Sequence, residues 1–167
     1  MRECLSHQSG QSAGVGLIEV LVTLLVIAIG VLGMAGLHSR SLQYQQAAYI
    51  QSQATFLASD MLDRIQANRA QARTSNLYQV GLNQSVYSQC LQKDYPDSCE
   101  TGGCTPEQLA VYDVLQWKFQ LTCQLPGSQG SVSYSDSSDG RVYIITLSFP
   151  TGSKGVPVSD VVLRSVL

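Results

Sequence analysis

The sequence predicts an α+β protein in which a long N-terminal α-helix packs on a small antiparallel sheet. The first observation is an apolar, uncharged run over residues 20–37, followed by apolar residues at helical spacing up to about residue 65. The second is a C-terminal stretch in which three extended segments alternate with turn signals. Helical and extended segments that occupy separate parts of the chain favour an α+β class over an alternating α/β class.

The apolar run predicts a membrane-spanning helix. Residues 20–37 carry no charge and one polar side chain, Thr23, and their number meets the length that a bilayer requires. A soluble core helix would show a polar face at every third or fourth position, and this run shows none. A cleaved secretory signal is disfavoured because the small residues Ala13 and Gly14 precede the apolar run instead of following it.

The helix is expected to continue beyond the apolar run. Residues 38–72 are rich in Gln, Ala, Leu and Arg, and no proline occurs before Pro96. We therefore expect one helix of roughly 55 residues and about 80 Å, apolar all round in its first half and amphipathic in its second. Asp60 and Arg64, four residues apart, are expected to pair weakly on its outer face. Its apolar face comprises Ile50, Ala54, Leu57, Ala58, Met61, Leu62 and Ile65.

Three glycines, Gly30, Gly33 and Gly36, lie in the membrane half of this helix. One interpretation is close packing against a neighbouring helix, which small residues permit. The other is a weak segment that can unwind, because each glycine costs about 1 kcal/mol in a helix relative to alanine. The two interpretations are compatible, and the sequence leaves both open.

A second helix is predicted after a long irregular loop. Residues 73–104 lack periodicity, apart from a short strand expected near residues 77–80. The stretch 105–108, Thr-Pro-Glu-Gln, then supplies an N-cap, a first-turn proline and a capping box. The helix is expected to end near Cys123. Its apolar face comprises Ala110, Val114, Trp117 and Leu121.

The remaining chain predicts three antiparallel strands. Residues 131–135 and 141–149 form a hairpin around the turn signal at 137–140. A second turn at 150–155 leads to a last strand over residues 158–167. We expect this sheet to pack on the amphipathic half of the first helix.

The cysteines predict an oxidising compartment for the C-terminal part. Four of the five lie beyond the apolar run, and an even set there indicates two disulfides. Their spacing, C-x8-C-x4-C-x18-C, lacks the C-x2-C pairs typical of a zinc site. We favour Cys99–Cys104 with Cys90–Cys123, because residues 100–103 are short and flexible enough to close a small ring. The other two pairings remain open.

Composition argues against an enzyme or a general nucleic-acid binder. Charged residues make up 13% of the chain, the net charge is −2, and the cations are scattered and form no basic stripe. The only histidines are His7 and His38, and no catalytic motif is present. Asp136 and Asp139 beside Gly140 fit a hairpin turn better than a calcium site. We expect a non-enzymatic protein with no cofactor and no bound metal.

The N-terminal region resembles a class III prepilin leader. A short polar segment ends at Gly14, and an apolar helix follows with Glu19 at the fifth position after it. The run over residues 18–34 is similar to type IV pilus minor pilins of the PilV kind. A second similarity lies in residues 104–117 together with 125–127. The chain departs from the family pattern at two positions: it has Val15 where the family usually has Phe, and glycine at the next position where the family has Thr or Ser.

This resemblance implies a processing pathway. A prepilin peptidase would cleave between Gly14 and Val15, and Val15 would become an N-methylated terminus. Glu19 would neutralise the new ammonium group during assembly. The implied organisation is a pilin-like lollipop: a leader over residues 1–14, a transmembrane and assembly helix over 15–37, its amphipathic continuation over 38–72, and a periplasmic domain over 73–167.

The resemblance also implies location and partners. The positively charged residues near the helix ends do not decide orientation, since Arg2 flanks one side and Arg40 the other. The cysteines place the C-terminal domain in the periplasm, with the helix in the inner membrane before assembly into a pilus. Implied partners are other minor pilins, the major pilin filament and a large tip adhesin. Alternatives are a type II secretion pseudopilin and a DNA-capturing competence-type pilin, which would require an exposed basic stripe.

Overall fold

The computed structural model describes residues 16–82, 87–150 and 158–167. The chain divides into two compact units, one ending at Gln43 and the other comprising Tyr44–Leu167. The prepilin-like leader, Gly14 and Val15 lie outside the described residues, as does most of the predicted turn at 150–155. The described elements confirm the α+β class.

The described part of the first unit is the N-terminal part of helix α1. This helix spans Gly16–Ala67, and it is the one helix in the described ranges whose length and composition would suit a membrane span, with a mean hydropathy of 2.7 over its most apolar window. A Cβ added at Gly30, Gly33 or Gly36 would meet no described atom within 4 Å. The helix is continuous through all three, so both interpretations of the glycines stay open.

The predicted single helix to residue 72 is wrong in one respect, because the regular α-helix is interrupted at Asn68. Helix α1 ends at Ala67, and a short helix α2 (Arg69–Thr74) follows after Asn68 leaves helical geometry at φ −105° and ψ 41°. The side-chain amide of Asn68 is buried and donates to the carbonyl oxygen of Pro106 at 2.7 Å. This long-range hydrogen bond accompanies the break, and local periodicity carries no sign of it.

The second predicted helix is confirmed at both ends. Helix α3 spans Pro106–Gln124. The Gln108 amide donates to Thr105 Oγ1 at 3.3 Å, and the Thr105 amide donates to Gln108 Oε1 at 2.9 Å, which completes the capping box. Before it, the described part of the irregular segment contains a 3-10 turn at Gln92–Asp94.

The C-terminal strands form the expected antiparallel sheet. Strands β1 (Gln129–Ser137), β2 (Gly140–Pro150) and β3 (Val158–Val166) pair in the order β1-β2-β3. The strand expected near 77–80 is reduced to one bridge between Val80 and Val132. Gly140, after the hairpin turn, has φ +131°, a conformation that side-chain-bearing residues rarely adopt.

The core lies between the sheet, α3 and the second half of α1. Trp117 of α3 is fully buried, and its indole Nε1 donates to the Leu57 carbonyl oxygen of α1 at 2.8 Å. Gly130 lets β1 approach α3, because a Cβ there would lie 2.6 Å from both Trp117 and Leu121. The predicted apolar face of α1 is buried at Ala54, Leu57, Ala58, Met61 and Ile65.

Candidate assembly site

The first turn of α1 carries Glu19, which is exposed. Its expected partner is the amino group of Val15, which lies outside the described residues together with Gly14. The pairing therefore stays a prediction. Thr23, the polar residue of the apolar run, donates its hydroxyl to the Val20 carbonyl oxygen at 2.9 Å. The apolar run therefore satisfies its one hydroxyl donor internally, as an apolar surrounding requires.

The side chains of this segment form a continuous apolar surface. From Leu17 to Leu37 its large apolar side chains are between 56% and 76% exposed. Monomeric soluble proteins rarely expose apolar patches of more than a few hundred Å². The surface is therefore suited to contact with lipid or with other helices.

Two disulfides join the elements that follow. One links Cys90 to Cys123 across 33 positions, with 4.9 Å between the Cα atoms. The other links Cys99 to Cys104, with 5.6 Å between the Cα atoms. This is the pairing favoured from the sequence. The first ties the loop to the end of α3, and the second closes a small ring immediately before the capping residue Thr105.

The small ring is anchored on α3 through Glu100. The Glu100 carboxylate accepts hydrogen bonds from the hydroxyls of Tyr95 and Tyr112, the latter at 3.0 Å. Burial raises the pKa of Tyr112, and its hydrogen bond to Glu100 adds to that effect. Tyr95 in turn accepts from the Gln116 amide at 2.7 Å. The ring is thus held against one side of α3 by side chains that the sequence analysis did not identify.

Arg64 joins α1 to α3. It pairs with Asp60 at 2.8 Å as expected, but its guanidinium also contacts Asp113 at 3.3 Å and the side-chain oxygen of Gln116. The expectation of a pair on the outer face of the helix is wrong, because Arg64 points towards α3. Asp113 is buried and also accepts from the hydroxyl of Tyr78 at 2.8 Å. Burial raises the pKa of Asp113, against the opposing effects of Tyr78 and Arg64.

Lys118 is a buried cation that the sequence analysis also missed. Its side chain is 5% exposed, and Nζ donates to the carbonyl oxygens of Gly81, at 3.2 Å, and Gly130. Burial lowers the pKa of Lys118 to about 8. The helical spacing did indicate a buried position for this lysine, because Lys118 lies four residues after Val114 and directly after Trp117 on the apolar stripe of α3.

Arg141 of β2 closes the C-terminal end of α2. Its Nη1 donates to the carbonyl oxygens of Ala72, at 3.1 Å, and Ser75, at 2.6 Å, while Nε pairs with Asp136 at 2.7 Å. The guanidinium also lies over the ring of Tyr134 at 4.0 Å. A cation at a helix C-terminus is favourable because it meets unpaired carbonyl groups and the negative end of the helix dipole. Asp136 therefore has a structural partner at the hairpin.

The described ranges contain an open cleft but no metal cluster. Within them, no group of three or more His, Cys, Asp or Glu side chains is placed to hold a metal ion. An open cleft of about 530 Å³ lies beside the start of α3. It is lined by Leu77, Val111, Tyr112 and Leu115 together with the small disulfide ring.

Comparison with known families gives a match over part of the chain. Residues 36–115, just under half of the chain, match the model of the Tt1218-like family, described as type IV pilin Tt1218. No curated protein and no solved structure matches. The matched range runs from the end of the apolar segment into α3, and it supports a type IV pilin, a class of structural and non-enzymatic subunits. It does not extend to the leader or to the hairpin.

Proposed function

We propose that this protein is a minor pilin that helps to initiate type IV pilus assembly and contributes to the complex at the pilus tip. The observation that carries the proposal is an exposed apolar helix that continues into an α+β domain, within a chain whose residues 36–115 match a type IV pilin family. A minor role, rather than that of the major filament subunit, rests on the similarity of residues 18–34 to PilV-type proteins.

The N-terminal helix would first insert in the inner membrane. Prepilin peptidase would then cleave between Gly14 and Val15, leaving Val15 as a terminus that can be methylated. The two disulfides support an oxidising compartment for the folded domain, which in this topology is the periplasm.

Glu19 would act when subunits pack together. A carboxylate in the middle of a membrane costs about 2.5–3.5 kcal/mol on insertion scales, so its position near the end of the helix limits that cost. After cleavage, the ammonium group of Val15 on the same or a neighbouring subunit supplies a counter-charge. That pairing would favour helices that have entered the filament over helices that remain in lipid.

The proposed partners are other minor pilins, the major pilin filament and a large adhesin at the tip. The structure gives one argument against the alternative of DNA capture. Arg64, Lys118 and Arg141 are engaged with groups of the same chain, which leaves fewer cations for a phosphate backbone. A pseudopilin of type II secretion shares the leader and the helix, and the experiment below separates it from a pilin.

The test is expression of the full chain in a piliated bacterium with and without its prepilin peptidase. We expect the mature protein to begin at Val15 only when the peptidase is present, and to be found by mass spectrometry in pili sheared from the cell surface. Gly14→Leu should leave uncleaved protein in the membrane and none in pili. Gly10→Ala, within the same leader, is the matched control and should be processed normally. Maturation at another position would refute the leader assignment, and mature protein that stays in the cell envelope and is absent from sheared pili would indicate the pseudopilin.

A further inference from the structure

The free edge of the sheet at β3 differs from the edge at β1. Among the described residues β3 pairs only with β2. At the other edge, the backbone groups of Val132 exchange hydrogen bonds with Val80 at 2.9 Å and 3.0 Å, and the Gly130 carbonyl accepts from Lys118. The β1 edge is therefore partly occupied by the chain itself, whereas no described segment pairs with the outer side of β3.

The register shows which backbone groups of β3 point outward. The Leu167 amide donates to the Arg141 carbonyl oxygen at 2.9 Å, which makes Leu167–Arg141 a hydrogen-bonded pair of the β2–β3 ladder. Hydrogen-bonded and non-hydrogen-bonded pairs alternate along an antiparallel ladder. The odd-numbered residues of β3 therefore bond to β2. The N–H and C=O groups that point away belong to Asp160, Val162, Arg164 and Val166.

The same four residues carry exposed side chains. Val162 is 49% and Val166 is 55% exposed, and Asp160 and Arg164 are exposed between them. On β2 their neighbours are Ser148, Thr146, Ile144 and Val142. The Ser148 hydroxyl donates to Asp160 at 2.6 Å, which leaves the second carboxylate oxygen for another donor. Along this face of β3, an acidic, an apolar, a basic and an apolar side chain therefore follow one another.

We propose that the β3 edge binds an extended segment of a separate partner protein as a fourth, antiparallel strand. Such strand addition uses backbone hydrogen bonds for affinity and alternate side chains for specificity. The partner strand would place a base opposite Asp160, an apolar residue opposite Val162 and an acid opposite Arg164. Read from its N-terminus, the matching pattern is apolar-x-acidic-x-apolar-x-basic.

A second copy of the chain carries this pattern, since residues 158–164 read Val-Ser-Asp-Val-Val-Leu-Arg. Pairing of two β3 strands about a twofold axis would, however, oppose their α1 helices. Ile50 of α1 lies beside Phe149 and Pro150, which pair with the start of β3, and Gln66 contacts Ser165 near its end. This part of α1 therefore runs in the same direction as β3. Subunits of the proposed filament would share one orientation, so two copies in it would not pair about this twofold axis; this exclusion of a second copy rests on the proposed function.

The experiment uses a labelled peptide with the sequence of residues 158–166 and the full chain in detergent micelles, with binding measured by fluorescence anisotropy. We expect saturable binding that Val162→Pro reduces at least about tenfold, because proline removes an outward-pointing N–H without removing a β2–β3 bond. Val162→Thr is the matched control, since it keeps the N–H and a β-branched side chain. Thermal unfolding of each variant establishes that the domain is folded.

A charge exchange provides a second variant that does not depend on proline. Asp160→Arg in the protein should weaken binding of the wild-type peptide at least about fivefold, because like charges then face each other. A peptide with Arg164→Asp should restore binding to that variant and bind the wild-type protein poorly.

Three results would overturn the proposal. These are no saturable binding, binding that is unchanged in both folded variants, or a dimer of the full chain in sedimentation that Val162→Pro dissociates. The last result would make a second copy the occupant of the edge. Peptide binding requires neither leader cleavage nor a pilus, so its failure would leave the proposed function standing.

Discussion

Replacement of Lys118 by methionine should change how the stability of the folded domain depends on pH. Burial lowers the pKa of Lys118 from 10.5 to about 8. Below pH 8 the lysine is protonated in both the folded and the unfolded chain, and the stability cost of the buried charge is constant. Between about pH 8 and 10.5 the unfolded chain holds the proton more tightly than the folded chain, so stability rises with pH. A difference of about 2.5 pH units corresponds to about 3.4 kcal/mol.

The measured quantity is the free energy of unfolding of the wild type minus that of Lys118→Met, determined in urea and non-ionic detergent at pH 7.5, 9 and 10.5. Trp117 is the single tryptophan and is fully buried, which makes its fluorescence a direct probe of this core. Methionine leaves the carbonyl groups of Gly81 and Gly130 without their donor, but that loss does not depend on pH. Burial raises the pKa of Tyr78, and its destabilising effect above pH 10 cancels in the difference.

The difference in unfolding free energy between the wild type and Lys118→Met should grow by about 3 kcal/mol between pH 7.5 and 10.5. Lys118→Arg is the matched control, because a guanidinium keeps its charge over this range and should give a flat difference against methionine. A difference between wild type and Lys118→Met that stays constant within about 0.5 kcal/mol would refute the reasoning. It would show that the amine has its ordinary pKa in the folded domain.

Three further predictions test other parts of the molecule. Glu19→Val should leave membrane insertion and leader cleavage intact but reduce co-purification with other pilins, and normal piliation would count against its pairing role. Gly130→Ala should cost about 1–3 kcal/mol through overpacking, whereas Gly103→Ala, where an added Cβ meets nothing within 4 Å, should cost less than about 0.5 kcal/mol; equal urea midpoints would contradict this. Replacing Cys90 and Cys123 by alanine should cost about 3–4 kcal/mol of unfolding free energy, and non-reducing peptide mapping that links Cys90 to any other cysteine would contradict the pairing.

The elements that the sequence predicted well are specified by neighbouring residues. The start of α3 follows from Thr105 and Gln108, which bond to each other across one helical turn. The hairpin follows from the turn signal at 137–140, which leaves the two flanking strands no other simple pairing. In both cases the interacting groups lie within a few residues of each other.

The elements that the sequence did not predict depend on distant partners. The break at Asn68 accompanies a hydrogen bond to Pro106, and the direction of Arg64 is decided by Asp113, 49 positions away. Lys118 is a charged residue on the apolar stripe of α3. It is accommodated there because two carbonyl groups from other segments accept hydrogen bonds from its Nζ. Periodicity reports which face of a helix is buried, but not which polar groups another element brings to that face.

The disulfide between Cys90 and Cys123 also has a mechanical consequence. If the domain is pulled between α1 and β3, force passes through this covalent link and bypasses the 33 positions that it spans. At about 3.4 Å per extended residue, the intact bond prevents about 110 Å of chain from extending when the domain is stretched. In a filament under tension, a subunit with this bond would yield over a much shorter distance than its reduced counterpart. Helix α3 lies inside the bypassed segment up to Cys123, and this part of it would carry no load along the chain.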